Sequence, residues 1–259
     1  MSEQIRFYND DLEIVPDVPI ASGERKGELR SPTIRDARKW GHLPSVTSLT
    51  KFNTSWSLIE WLKKNIAATA ANFPYDGDPE DEEAVASYQG MLLAKADEYR
   101  DEAAAAGTEI HKVVEIGLVT GEVPENPIHA RILDEIKTWL ENEKMTEIDC
   151  EKTLGSKAHG FAGTPDISAT DGTRSMILDL KTRDSVEKMK WNRDDWKLQL
   201  AAYLILSDGE AELWQVAACR NTGACVFKQY EDIDHWADCF KAIVNAWCLI
   251  RKHDPRKEQ

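Results

Sequence analysis

The sequence predicts an α/β protein, a central sheet flanked by helices, with a helical N-terminal half. Three observations carry this. Apolar residues recur at helical spacing through much of the first half. Near Thr146 the pattern changes to short apolar runs separated by turn residues. From there the runs order as β-β-β-α-β-β-α, which calls for one layered core. A chain of 259 residues is long enough to bury such a core as one domain. The expected organisation is a single domain over 1–259: an irregular segment 1–45, a mainly helical stretch 46–145, and a sheet core with its closing helix over 146–252.

The elements follow in order. Residues 1–45 hold several prolines and the polar run Gly23-Glu-Arg-Lys-Gly-Glu28, and predict no regular structure. A helix should start after Pro44, capped by Ser45 or Thr47, with an apolar stripe of Leu58, Ile59, Trp61, Leu62 and Ile66. The acidic turn from Phe73 to Glu83 reads as a solvated loop. From Glu82 to Leu118 the alanine-rich pattern is helical, and Gly107 suggests a break into two helices. Ile132, Leu133, Ile136, Trp139 and Leu140 mark a helix over about 128–143. Strands are predicted over about 147–154, 159–169 and 174–182, then a helix over 195–207. Strands at 211–219 and 224–230 flank the turn Asn221-Thr222-Gly223, and a helix over 233–252 closes the chain. Trp139, Trp214 and Trp247 are assigned to the core.

Composition narrows the function. Hydrophobic residues make up 42% and charged residues 30%, an ordinary soluble profile. No apolar run reaches the roughly 20 residues a membrane helix needs, and the polar start MSEQIRFYNDDLE is not a signal peptide, so no membrane partner and an intracellular, cytoplasmic setting are expected. The five cysteines, an odd number without a C-x-x-C pair, argue for free thiols and against a disulfide, zinc or iron–sulfur framework. The formal charge of −14 and pI of about 4.9 oppose passive binding to nucleic acid. They do not oppose catalysis on it, because a metal-dependent site is itself acidic and a basic cleft can sit in an acidic protein.

The chemistry concentrates in Gly160–Thr182. Asp171-Gly172 is a two-residue hairpin signal, so Thr170 should pair with Thr173, Asp166 with Ile177 and Thr164 with Asp179. Asp166, Asp179 and Lys181 then share one sheet face, the two carboxylates as diagonal neighbours roughly 7–8 Å apart at Cβ. Two carboxylates at such a separation can hold a hard cation, which would activate water and grip a phosphate, and the lysine can orient the water or steady developing charge. An Asp-x-Lys on an exposed strand would be merely solvated. Here the flanking Met176-Ile-Leu178 and Leu180 indicate a buried strand, where charges need partners. Two helical pairs, Gln199 with Tyr203 and His111 with Glu115, each stand i, i+4 on one face and are weak signals alone.

Together these residues resemble the RecB-like, lambda-exonuclease-like branch of the PD-(D/E)XK nucleases. The match runs through Gly107-Thr-Glu-Ile-His111, Gly163-Thr-Pro-Asp166, Ile177-Leu-Asp179-Leu-Lys181-Thr182 and Gln199-Leu-Ala-Ala-Tyr203, in the family's order, and Leu43-Pro-Ser-Val-Thr-Ser48 looks like phage-type openings. The resemblance implies a restriction-endonuclease-like core with a mixed central sheet and a Mg2+ or Mn2+ cofactor. It implies Asp166, Asp179, the Leu180 carbonyl and His111 on the metal side, Lys181 as catalytic lysine, and Gln199 and Tyr203 supporting the site and touching the DNA backbone. Glu151 and Glu115 are candidate additional carboxylates. Relatives with an iron–sulfur cluster carry four clustered cysteines, a pattern missing here, so no cluster is expected, and no helicase phosphate loop is present.

The leading expectation is therefore a metal-dependent DNA exonuclease acting at linear ends in recombination, repair or phage replication, inside a bacterial or phage-infected host cell. It would work with a homo-oligomeric ring or a recombination partner for processivity. An endonuclease or flap nuclease, a non-catalytic nuclease-fold binding module, and RNA as substrate stay open. Trp191 and Trp196 with Lys188, Lys190, Arg193 and Lys197 read about evenly as a base-stacking, backbone-guiding patch or as core and solvated charge.

Overall fold

The computed structural model describes residues 5–52, 56–185, 187, 193–231 and 233–257. It divides into two compact units, one of residues 1–53 with 113–259 and the other of residues 54–112.

The first unit opens with β1 (Phe7–Tyr8), β2 (Val18–Pro19), β3 (Leu29–Arg30), α1 (Ile34–Trp40), β4 (Leu43–Pro44) and α2 (Val46–Lys51). The expected irregular segment thus carries structure. The Asp36 carboxylate accepts from the Thr33 amide at 2.8 Å and from its hydroxyl at 2.7 Å, fixing the start of α1, and Arg30 pairs with the same carboxylate at 2.6 Å. Ser45 caps α2 as expected, its hydroxyl accepting from the Ser48 amide.

The second unit holds α3 (Trp56–Asn72) and most of α4 (Glu82–Thr120). Within it Tyr75 and Tyr88 stack with centroids 4.9 Å apart, and the Tyr88 hydroxyl donates to the Phe73 carbonyl. The expected apolar stripe on α3 is only half realised, since Trp61 is 40% exposed, and the Leu58 side chain lies outside the described residues. The predicted break at Gly107 is absent: α4 runs unbroken through 39 residues. One glycine costs a helix about 1 kcal/mol, and the alanines Ala103–Ala106 before it offset that.

The chain returns to the first unit through the end of α4 and continues as α5 (Pro127–Asn142), β5 (Glu147–Cys150), β6 (Leu154–Ser156), β7 (Phe161–Gly163), β8 (Ile167–Thr170), β9 (Ser175–Arg183), α6 (Asp194–Leu206), β10 (Ala211–Cys219), β11 (Cys225–Tyr230) and α7 (Asp234–Arg251). Gly117 on α4 faces α5, where a Cβ would stand 2.2 Å from Leu133 Cδ2, so the close approach requires glycine. The expected strands 147–154 and 159–169 each divide, because β6 and β7 leave the main sheet to form their own hairpin.

The protein is α/β, with a mixed five-stranded sheet in the order β11-β10-β9-β8-β5. β9 and β10 run parallel across the α6 crossover, and the other neighbours are antiparallel. Alternation splits β9 between two faces. Ile177 joins Leu213 under α6, α7 and α2, in a core with Phe161, Tyr203, Phe240 and Trp247. Met176, Leu178 and Leu180 point the other way and are buried there. On that second face Trp139 of α5 stacks on Phe227 at 4.7 Å and meets Trp214 edge-on at 4.8 Å. Trp247 is fully buried as expected, whereas Trp139 and Trp214 are half-buried. Among the described residues, no helix is long and apolar enough to cross a membrane.

Candidate active site

The hairpin of β8 and β9 carries the candidate site, in a register different from the expected one. Thr170 pairs with Ser175, Ser168 with Ile177 and Ile167 with Leu178. The loop is Asp171–Arg174 rather than Asp171-Gly172 alone. Its cause is the Asp171 side chain, whose Oδ1 accepts from the Thr173 amide (2.9 Å), the Thr173 hydroxyl (2.7 Å) and the Arg174 amide (2.8 Å). These bonds, the Arg174 amide first, hold the Asp171 carboxyl down at about 2. The slip is two residues in the pairing sum, so each side chain keeps its face. The correction brings Asp166 level with Asp179 instead of diagonal to it.

Extending the pairings across the sheet gives one row. Cys150 pairs with Ile167, so Glu151 stands level with Asp166, and the Glu151 amide donates to the Asp166 carbonyl at 3.2 Å. Asp179 pairs with Gln215, and Gln215 with Lys228. Glu151, Asp166, Asp179, Gln215 and Lys228 therefore succeed one another across five strands. The acidic end is open: Glu151 is exposed, Asp166 intermediate, and each offers a carboxylate oxygen within 4.8 Å of the other. Glu151 adopts φ +51, a left-handed conformation uncommon for a glutamate. Two carboxylates this close repel unless a cation or proton lies between them, and an all-oxygen pair suits a hard divalent ion. Burial, followed by the charges of Glu115, Glu151, Asp149 and Asp166, pushes the neighbouring Cys150 thiol up to about 12.

The middle of the row is closed. Asp179 is fully buried, and both of its oxygens lie 2.7 Å from Lys181 Nζ. Burial by itself lowers the pKa of the Lys181 ammonium, but the charges of Asp179 and then Asp166 outweigh it, and the net shift is upward. Lys181 is thus held as a cation. Asp166 Oδ2 accepts from the Leu180 amide at 2.6 Å, which ties the two strands where the carboxylates meet.

From Lys181 a directed chain of hydrogen bonds leads to the loop before Asp166. An ammonium can only donate, so Lys181 gives to Gln199 Oε1 (3.3 Å), Gln199 Nε2 gives to Tyr203 Oη (3.2 Å), and Tyr203 Oη gives to the Thr164 carbonyl (2.9 Å). The i, i+4 spacing of Gln199 and Tyr203 on α6 sets this geometry. Burial, then the Asp179 charge, raises the Tyr203 phenol well above its ordinary value, so it serves as a neutral donor. The Thr164 hydroxyl also meets Tyr8 Oη at 3.0 Å and Thr153 Oγ1 at 3.2 Å. A Cβ at Gly163 would stand 2.6 Å from Val46 Cγ2 and 2.9 Å from Tyr203 Cε1, which explains the glycine of Gly163-Thr-Pro-Asp166.

Asp166, Asp179, Lys181, Gln199 and Tyr203 are thus joined in one network, with the amide of Leu180 in it. His111 lies on α4 within the second unit, one helical turn before Glu115 of the first. The sequence reading overlooked Tyr8 and Thr164, which lack a local pattern, and Gln215. The last had a signal, a lone amide in the apolar run Leu213-Trp-Gln-Val-Ala-Ala-Cys219. Gln215 is 4% exposed; Tyr230 Oη donates to its Oε1 at 3.2 Å, while its Nε2 has no hydrogen-bond partner among the described residues. The aromatic-basic patch before α6 is corrected in part. Trp196 is buried, with the Arg183 guanidinium 4.3 Å above its ring, so it is core, and Lys188, Lys190 and Trp191 lie outside the described residues.

No family model matches the chain, and no curated protein matches it. Among solved structures it is similar to SSO0001, at 13% identity and a TM-score of 0.34 over 74% of this chain and 87% of that one. A protein of Eubacterium rectale named "Putative exonuclease" is similar at 13% identity and a TM-score of 0.34, over 72% of this chain and 73% of that one.

Proposed function

We propose that the protein is a metal-dependent deoxyribonuclease that hydrolyses phosphodiester bonds at DNA ends, with residues 1–259 acting as one nuclease domain. One observation carries the reading: Asp166, Asp179 and Lys181 share a sheet face, Lys181 binds Asp179 and leads through Gln199 and Tyr203 to the Thr164 carbonyl two residues before Asp166, and the Asp166 carboxylate accepts from the Leu180 amide between the other two. A bare structural role would not need a buried carboxylate–ammonium pair, since apolar residues of similar volume hold a core at least as well.

The oxygen donors of Asp166 and Glu151 suit a magnesium or manganese ion, with Asp179 and the Leu180 carbonyl as its further proposed ligands. Such an ion, when bound, lowers the pKa of water and neutralises phosphate charge. Lys181, held cationic, stabilises negative charge developing on the phosphate and orients the attacking water. Gln199 fixes the position of Nζ, and Tyr203 fixes the Thr164 carbonyl, so that Asp166 enters the site at one angle. Processive work on linear DNA, in recombination, repair or phage replication, would call for an oligomer or a partner protein.

The test is digestion of end-labelled linear DNA and closed circular DNA with Mg2+, Mn2+ or EDTA, beside Asp166→Asn and Lys181→Met variants that retain a folded melting transition. Loss of nucleotides from linear DNA only, abolished by EDTA and by both substitutions, is the expected result. Cutting of the circle converts the reading to an endonuclease. No turnover of DNA or RNA with either metal overturns it in favour of a binding module.

A further inference from the structure

A basic surface stands out in this acidic chain. Arg35, Arg38 and Lys39 are spaced i, i+3, i+4, so they share one face of α1, and all three are exposed. That face meets the end of α7: Arg38 Nε donates to the Arg251 carbonyl at 3.2 Å, and His253 Nε2 donates to the carbonyl of His42, just past α1, at 2.8 Å. Beyond α7 the chain adds the exposed Lys252, Arg256 and Lys257 around a cleft of about 510 Å3 that His253 and Asp254 also line. The acids of the region are already engaged, Asp36 by Arg30 and Thr33, Asp254 by Arg256 and Lys257, and Asp10, whose charge reaches His42, by Lys157. Trp40, 47% exposed with Lys39 Nζ 4.7 Å from its ring centroid, adds an aromatic surface.

The patch is tethered to the candidate site by one short strand. Gly160, just before β7, packs so closely on Arg256 that a Cβ would stand 2.8 Å from its Cγ. Six residues later comes Asp166. A chain of that length spans at most about 20 Å. Duplex DNA rises roughly 3.4 Å per base pair, so at most about six base pairs separate the Gly160–Arg256 contact from Asp166.

We infer that the junction of α1 with the end of α7 is a nucleic-acid backbone site, whose Arg256 edge anchors the DNA within about half a helical turn of the acidic row. The inference rests on the nuclease reading for the occupant's identity. Charge complementarity selects the occupant: a polyphosphate strand meets cations on α1 and around the cleft at once, and unpaired bases can stack on Trp40. It also answers the objection of the net charge, because these cations form a locally positive surface within an acidic chain.

The experiment measures binding of a fluorescent 30-base-pair duplex to the full chain in EDTA, over a range of salt, so that no cleavage occurs. Three proteins are compared: the wild type, a patch variant (Arg35→Ala, Lys39→Ala, Lys252→Ala, Lys257→Ala) and a charge-matched control (Lys63→Ala, Lys64→Ala, Lys95→Ala, Lys137→Ala). For the patch variant, affinity at low salt should fall about tenfold or more. The slope of log K against log salt should become shallower by about 2–4, or roughly 0.9 for each phosphate that is no longer neutralised. The control should keep the wild-type slope. Equal slopes in all three proteins overturn the inference. So does equal competition by polyglutamate of matched charge, which would mark a protein-docking surface. If the patch variant loses binding but the wild type never cleaves with Mg2+ or Mn2+, the nuclease reading fails and this site stands.

Discussion

The two faces of β9 are built from alternate residues of one strand and solve opposite problems. On one, Met176, Leu178 and Leu180 are buried among apolar neighbours and need only fit. On the other, Asp179 and Lys181 follow Ile177 into the protein and need partners, which they find in each other and in Gln199 of α6. The apolar face could be rebuilt with many side chains of similar volume. The polar face admits few, because each donor in the chain from Lys181 to Thr164 fixes the direction of the next. Stability dominates on one face; on the other, position does.

The largest expected effect breaks the polar face. Asp179→Ala leaves the half-buried Lys181 ammonium without its nearest counter-charge and should cost up to about 5 kcal/mol in urea unfolding. The paired change Asp179→Leu with Lys181→Met should recover most of that stability while leaving no nuclease activity. If the double variant is as unstable as the single one, the contrast between the faces is wrong. On the apolar face, Leu178→Ala should cost about 3 kcal/mol by opening a cavity, with kcat of the remaining folded protein close to wild type. Tyr203→Phe comes next. It removes the bond to the Thr164 carbonyl and should cost about 1–2 kcal/mol. If Tyr203 positions Asp166, Mn2+ affinity by titration calorimetry should also fall, by about 10- to 100-fold. Unchanged affinity would make it a packing residue only.

How much of this was legible in the sequence follows from the range of the forces involved. Period and turn signals gave the helices α5, α6 and α7 and the strands β9, β10 and β11, because burial of one face imprints itself locally on the chain, but merged β5 with β6 and β7 with β8. Strand alternation put Asp166, Asp179 and Lys181 on one face and helical spacing did the same for Gln199 and Tyr203, but joining the two groups into one set rested on the family resemblance. The small elements before residue 45 were not. β1 exists because it pairs with β4, 36 residues on, and α1 depends on Asp36 being claimed by both Arg30 and Thr33. Tyr8 and Thr164, 156 positions apart, meet only once the fold is complete. The Gly107 break failed in the other direction, where a local penalty was read without the alanine-rich stretch that outweighs it.

The smallest expected effect tests what decides which residues stand level on the polar face. The loop of the hairpin is closed by the Asp171 carboxylate, not by the Asp-Gly dipeptide alone. Its pKa is about 2 in the folded chain, against an ordinary value near 3.9 in an unfolded one. A group depressed in this way contributes stability that is fully present above the unfolded value and is lost as pH falls through the folded one. Urea midpoints of the wild type should therefore drop between about pH 4 and pH 2 by more than those of Asp171→Ala. The two proteins should converge only below about pH 2, where the carboxylate is protonated in both states. The side chain is partly open to solvent, so the difference should be small and should shrink further in salt, although the three hydrogen bonds persist. Were the two curves parallel throughout, the register would be set by the sheet pairings alone. Asp166 would then stand level with Asp179 through the fit of Ile167 and Leu178 on the apolar face.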